Sequence, residues 1–257
     1  MIRHILLSND DGIDAHGLNL LARVLSERDD IRVTTVAPAD QQSASSHSLT
    51  LRVPLRVIDY GDGRFAVTGT PTDSVLVGVE HILKDDPPDA VISGVNHGSN
   101  MGEDVTYSGT VAAALEGAIL GLPSYAVSCT SWRPEHWDTV EAYLRGHLDA
   151  LLDQELPRNT LLNVNIPDLP ADEIRGVRVA PLGSRQYSDV ITEQLDPRGK
   201  PYLWIGGNGP TWDEVPDTDA TLSQAGYVVV TPLRVDLTHE IMLARLSGLN
   251  HEGPLKP

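Results

Sequence analysis

Cysteine is almost missing from this chain: Cys129 stands alone among 257 residues. No disulfide can close within one copy, and so little cysteine points to a reducing compartment, which makes a cytoplasmic location the expectation. Basic residues are scarce as well. Nineteen Lys and Arg face 36 Asp and Glu, a formal net charge of −17, which argues against a protein that wraps nucleic acid or lies on an anionic membrane through basic patches. A small anion held by a metal and by backbone N–H groups is not excluded by that balance. No stretch supplies the roughly 18 uninterrupted apolar residues of a membrane span, and the N-terminus has no long apolar region with a small-residue cleavage site. Aromatic residues make up only 5%, with a single Phe, so the core has to be built from Leu, Val, Ile and Ala.

What is present fits one large α/β domain, or a domain with an appended part: 40% hydrophobic and 21% charged residues over this length. The chain is organised around its first dozen residues. Ile5, Leu6 and Leu7 read as a buried strand that runs into Ser8-Asn9-Asp10-Asp11-Gly12. Two adjacent carboxylates at a strand end raise each other's pKa unless a cation lies between them, and Asp, Asn, Ser and water are oxygen ligands suited to Mg²⁺, Mn²⁺ or Ca²⁺. A solvated turn, with Gly12 supplying φ > 0, accounts for the same stretch taken alone.

The pattern continues as alternating helix and strand. Leu18, Leu21, Ala22 and Leu25 make one helical face after a loop to Gly17. Ile31 to Ala37 reads as a strand that stops at Pro38, followed by the polar loop 40–48 with Ser43 and His47. In an open parallel sheet, loops that follow strands emerge at the carboxyl edge, where such folds bind ligands. Leu51 to Val67 reads as a hairpin around Gly61-Asp62-Gly63. Thr70-Pro71-Thr72-Asp73 is a helix start, with Thr70 as cap, Pro71 at the first position and Asp73 at the positive dipole end; Asp85-Asp86-Pro87-Pro88 ends it.

Ala90 to Gly102 combines a short buried strand with a loop of three glycines and two asparagines, Asn96 and Asn100. Glycine lets backbone approach an anion, and an asparagine carbonyl can ligate a hard cation. The glycine spacing is wrong for a dinucleotide fingerprint. His97 in that loop reads as a surface or supporting group rather than as the acid or base. Tyr107-Ser108-Gly109-Thr110 then leads into an alanine-rich run closed by Gly121 and Pro123. Free N–H groups, two hydroxyls and a positive dipole end make this helix start a ready phosphate site.

In these four stretches (Leu7 to Gly12, the Ser43 loop, Ser93 to Asn100, and Tyr107 to Ala114) the chain resembles the SurE family of survival-protein nucleotidases. The match covers roughly the first half. The resemblance implies one divalent ion per subunit, Mg²⁺ or Mn²⁺, on Asp10, Asp11, Ser43 and Asn96. It implies a phosphate held by Asn9, Ser43, Asn96, Ser108, Gly109 and Thr110, and chemistry carried by Asp10, Asp11 and Ser108. The implied reaction is hydrolysis of nucleoside monophosphates, at the 5′ and possibly the 3′ position, by a homodimer or homotetramer. Ala39 departs from the family, whose members often carry Asp directly after the proline; here Asp40 follows one place later.

The expected fold is a doubly wound, mostly parallel sheet in a Rossmann-like three-layer sandwich, with residues 1–183 as core and 184–257 as hairpin, final core strand and tail. In the second half Ser124 to Ser128, Leu161 to Ile166 and Val177 to Pro181 read as strands and Glu135 to Leu156 as a helix. Asp189 to Ile205 reads as a projecting hairpin turning through Asp196 to Pro201, with Trp204 and Trp212 flanking a glycine-rich loop. A short helix from Thr218 precedes the strand Tyr227 to Thr231, and the tail Arg234 to Glu240, with His239, is free to cross to a neighbouring subunit. A haloacid-dehalogenase phosphatase would need Asp-x-Asp after its first strand, and a receiver domain would be complete in half this length. The remaining alternative is a nucleotide- or phosphate-sensing module with slow turnover.

Overall fold

The computed structural model describes residues 3–186, 191–205 and 211–250. Its first strand, β1 (Arg3–Ser8), lies inside the sheet, parallel to β2 (Ile31–Pro38) on one side and to β5 (Ala90–His97) on the other. Ile5 and Leu7 point into a core layer with helices α1 (His16–Ser26) and α4 (Trp137–Leu152), while Leu6 points into a second layer with α2 (Pro71–Val77) and α3 (Gly109–Ile119). Side chains alternate across a strand, so a strand covered on both faces has to be apolar at every position. That is why the run Ile5-Leu6-Leu7 shows no alternation.

Among the described residues the main sheet has nine strands. The hairpin β3 (Val57–Gly61) and β4 (Arg64–Val67) forms one edge; β2, β1, β5, β6 (Ser124–Cys129) and β7 (Thr160–Ile166) follow. β13 (Val228–Arg234) then lies antiparallel to β7 and parallel to β8 (Val177–Val179) at the far edge. The last strand in sequence therefore enters the sheet between two earlier ones, so the core draws on both sides of residue 183. From β4 to β7 every neighbouring pair is parallel. Strand order reverses between β1 and β5, and their carboxyl ends open the crevice where doubly wound sheets bind ligands.

Several elements differ in extent from their sequence patterns. α1 buries Leu20 and Val24 besides Leu18, Leu21 and Leu25, a wider stripe than one periodic face, because it packs on the sheet and on α4 at once. The helix begins before Gly17, whose missing side chain is needed: a Cβ there would stand 2.0 Å from the Val95 carbonyl oxygen. The hairpin pairs only from Val57 rather than from Leu51, since 51–56 has no strand partner and contains Pro54, which has no N–H to donate.

At α2, Asp73 N–H donates to Thr70 Oγ1 at 3.1 Å and Thr70 N–H to Asp73 Oδ2 at 2.9 Å, a reciprocal cap. One π-helical turn, Gly78–Ile82, follows before the chain leaves the helix. α4 starts at Trp137 rather than Glu135, because the Asp168 carboxylate takes the N–H groups of both Glu135 and His136 and holds them in the turn ahead of it. Four short strands between 185 and 212 stand outside the main sheet. β9 (Arg185–Gln186) pairs with β12 (Thr211–Trp212), and β10 (Ile191–Leu195) with β11 (Pro201–Ile205), both antiparallel. Asp189, Val190 and the glycine-rich loop between Trp204 and Trp212 lie outside the described residues. The short helix α5 (Asp219–Gln224) packs on β13, and α6 (Glu240–Arg245) runs into a 3-10 turn, Leu246–Leu249, at the end of the described tail.

Candidate active site

The site is built where β1, β2 and β5 end and α3 begins. Asn9 closes the first turn from inside: its amide nitrogen donates to the Gly12 carbonyl at 2.9 Å and its amide oxygen accepts the Gly12 N–H at 3.2 Å. Fully buried and doubly bonded to the turn, the Asn9 side chain shapes the loop that presents Asp10 and Asp11. Gly12 has φ +101°, which supplies the reversal.

Asp10 is buried, and the Thr110 hydroxyl donates a short hydrogen bond to its carboxylate across the junction with α3. Its backbone carbonyl accepts from Gln42 N–H at 2.7 Å, which ties the second loop to the first. α3 approaches so closely that a Cβ on Gly109 would lie 2.7 Å from Asp10 Cβ and 2.8 Å from Ser45 Oγ. Asp11 turns the other way: one carboxylate oxygen accepts the His97 N–H at 3.2 Å, and the other is 3.5 Å from Gln41 Nε2, which also donates to Ser43 Oγ at 3.1 Å. Asp10, Asp11, Ser43 and the Asn96-His97 end of β5 are thus linked through first neighbours into one cluster.

Asn96 is buried with its amide nitrogen bound to the Gly98 carbonyl at 2.9 Å, which leaves the amide oxygen as the end available to a cation. Ser108 caps α3 by accepting Val111 N–H at 3.0 Å. Capping uses the hydroxyl oxygen as acceptor, so the proton remains available to a phosphoryl oxygen. The Thr110 hydroxyl, by contrast, is committed to Asp10. His97 contributes its backbone; its ring lies edge-on to Trp137 at 5.1 Å, which in turn meets His16.

The electrostatics favour a cation. Burial pushes the Asp10 pKa up to about 6; the bond from Thr110 opposes this and the neighbouring charge of Asp11 adds to it. A divalent ion beside both carboxylates would remove the repulsion and restore the charged form. Among the described residues no group of three or more His, Cys, Asp or Glu gathers. A cation bound here would meet two carboxylates supplemented by neutral oxygens, a set that suits a hard cation and not zinc. Ser45 Oγ is buried beside Gly109 without a hydrogen-bond partner, a polar atom aimed into the space between the second loop and α3.

Gln41, Ser45 and the role of Thr110 toward Asp10 escaped the sequence reading. The serine-rich composition of loop 40–48 was the visible signal for the first two. Nothing local marks the third, since Thr110 and Asp10 are 100 residues apart.

Known proteins resemble this chain over most of its length. The family model described as survival protein SurE matches residues 5–189. A 5′-nucleotidase SurE of Paramagnetospirillum magneticum is 50% identical over 240 residues, covering 91% of each chain. A 5′/3′-nucleotidase SurE of Erwinia tasmaniensis is 50% identical over 235 residues, again with 91% of each chain covered. Among solved structures, the SurE protein from Aquifex aeolicus superposes with a TM-score of 0.85 at 39% identity, covering 96% of this chain and 99% of its own.

Proposed function

The chain belongs to the survival protein SurE family and is a 5′-nucleotidase, and we propose that it hydrolyses nucleoside monophosphates in the crevice at the carboxyl ends of β1, β2 and β5. The observation that carries this reading is the meeting of Asp10, with Asp11 next to it in the chain, and the N-terminus of α3. A cation requirement and an anion-binding helix end lie side by side there, as phosphoryl transfer needs. Asp10, Asp11, Ser43 and Asn96 would hold one Mg²⁺ or Mn²⁺. When bound, that ion supplies positive charge against the phosphoryl oxygens and acidifies a water.

The chain's own groups do the rest. Thr110 holds Asp10 in position, and the His97 N–H and Gln41 hold Asp11. Asn9 keeps the turn closed beneath them. The Ser108 hydroxyl and the Gly109 N–H at the start of α3 neutralise charge that develops on the phosphoryl oxygens, while the Thr110 N–H is directed at Asp10. No covalent intermediate on a side chain is required.

The test is release of inorganic phosphate from a panel of 5′- and 3′-monophosphates, with and without chelator. Release that stops with chelator and returns with Mg²⁺ or Mn²⁺ is the expected result; full release in chelator would overturn the metal assignment. Tight nucleotide binding without release would favour the sensing module. The 3′ arm matters because the Erwinia relative is named for both positions.

Assembly is part of the same proposal. The segment from Asp189 to Trp212 and the tail after Leu233 act as oligomerisation elements of a homodimer, with a tetramer as its doubled form. Leu203, Trp204 and Ile205 on the outer hairpin are exposed, as are Leu237, Ile241 and Leu243 of the tail. An apolar cavity of about 1100 Å³, lined in part by Val111, Leu115, Ile119, Val179, Leu233 and Leu237, lies open beside α3. Apolar surface of this extent marks a contact with another chain. A monomeric mass at micromolar concentration by light scattering would overturn this. Among the described residues no helix is long and apolar enough to cross a membrane, and the near-absence of cysteine supports a cytoplasmic location.

A further inference from the structure

The loop between β6 and α4 carries Trp132, which is 71% exposed at the same carboxyl edge as the catalytic crevice. One face of its indole lies against Gly98. A Cβ built on Gly98 would stand 3.2 to 3.3 Å from three atoms of the ring, Cδ2, Cε3 and Cε2, so the missing side chain lets the ring lie close against the backbone there. Gly98 directly follows His97, whose N–H is bonded to the Asp11 carboxylate, and its carbonyl anchors the Asn96 amide. The indole is thus one residue removed from the groups that face the phosphoryl subsite.

The loop is fixed rather than free. Asp168, just beyond β7, binds the N–H groups of Glu135 and His136 at 2.8 to 3.1 Å, and Ser131 Oγ accepts the Arg133 N–H at 3.1 Å. Gly98 N–H bonds to the Cys129 carbonyl at 2.9 Å, tying the two loops together. In a chain with so few aromatics, Trp137 packs between two histidines and Trp212 packs on Gly102. Trp132 holds one flat face on backbone and turns the other outward beside the crevice.

We propose that Trp132 is the nucleobase platform of this enzyme: the phosphate enters between Asp10, Asp11 and α3, and the base stacks on the outward face of the indole over Gly98. This assignment rests on the nucleotidase reading above and adds a specificity residue to it. Stacking engages the π-face common to all bases, so the platform favours nucleotides over sugar phosphates without selecting one base.

The experiment compares wild type, Trp132→Ala and Trp132→Phe in two assays: phosphate release from AMP, GMP, CMP and ribose 5-phosphate, and AMP binding by titration calorimetry in the presence of Mg²⁺. Loss of a base stack should raise KM for the three nucleotides about tenfold or more in Trp132→Ala, with kcat and the KM for ribose 5-phosphate changed little. Trp132→Phe should retain most of the affinity. AMP affinity should fall in parallel with KM. An Ala variant whose KM for nucleotides and ribose 5-phosphate is unchanged, or changes equally for both, would overturn the platform. If wild type released no phosphate, the nucleotidase reading would fail by itself; the calorimetric comparison of AMP affinity would still decide Trp132.

Discussion

The crevice at the ends of β1, β2 and β5 and the hairpins from β9 to β12 invert the usual relation between polarity and burial, in opposite directions. At the crevice, Ser8, Asn9, Asp10, Ser93, Asn96 and Asn100 are buried; on the outer hairpin, Ile191, Leu195, Leu203, Trp204 and Ile205 are exposed, the last at 87%. A buried polar group is costly unless it is bonded, and an exposed apolar patch is costly unless it is covered. The first region resolves part of its cost inside the subunit, while the Ser8 and Ser93 hydroxyls are buried without a partner. Asn9 is bonded to Gly12, Asp10 to Thr110 and Asn96 to Gly98, and the proposed cation would relieve the repulsion at Asp10. The second is exposed on the single subunit and would be covered in the proposed homodimer. In the proposed reading, buried polarity serves the chemistry and exposed apolarity serves assembly.

The sharpest break of this contrast is Asp11→Asn. The amide still accepts the His97 N–H, so the fold should persist while phosphate release drops by roughly 100- to 1,000-fold or more, the scale of losing a charge aimed at the reacting phosphoryl group. Release within a few-fold of wild type would show that Asp11 only shapes the turn. Ser108→Ala comes next, with an expected loss in turnover of roughly 10- to 1,000-fold. Unchanged kinetics with a lowered melting temperature would reduce Ser108 to its cap on Val111.

The third prediction concerns the cation. With the Asp10 pKa raised from 3.8 to about 6 in the folded, metal-free protein, the burial penalty is absent below about pH 4 and complete above about pH 6. Metal-free protein should therefore lose stability as pH rises through that window, by a few kcal/mol on an order-of-magnitude reckoning. Saturating Mg²⁺ should remove the loss, so the gap in melting temperature between Mg²⁺ and chelator should widen from pH 4 to pH 7. A gap independent of pH would detach Asp10 from the ion.

The smallest effect belongs to the other region and is best measured as a pair by denaturant unfolding. Gly17→Ala drives a methyl into the Val95 carbonyl oxygen and should cost about 1 to 3 kcal/mol. Trp204→Ala on the exposed hairpin should stay within about 0.5 kcal/mol for the single subunit while weakening self-association in light scattering. Equal costs would show that the hairpin packs on its own subunit.

What the sequence determined by itself was local. The apolar run of β1 ending in Asp10-Asp11-Gly12, the Thr70–Asp73 cap, the start of α3 at Ser108 and the hairpin turning at Asp196 to Pro201 all rest on interactions a few residues long, and all stand in the structure. So does the parallel sheet, because alternating strand and helix patterns leave few other ways to cover both faces. Tertiary structure alone decided which groups meet across long separations. It joined Thr110 to Asp10, set Gly17 against Val95, laid Trp132 on Gly98 and inserted β13 between β7 and β8. Such contacts depend on how the layers close around the core. Periodicity and capping specify an element and its buried face, but the approach of one backbone to another is set only when every element packs at once.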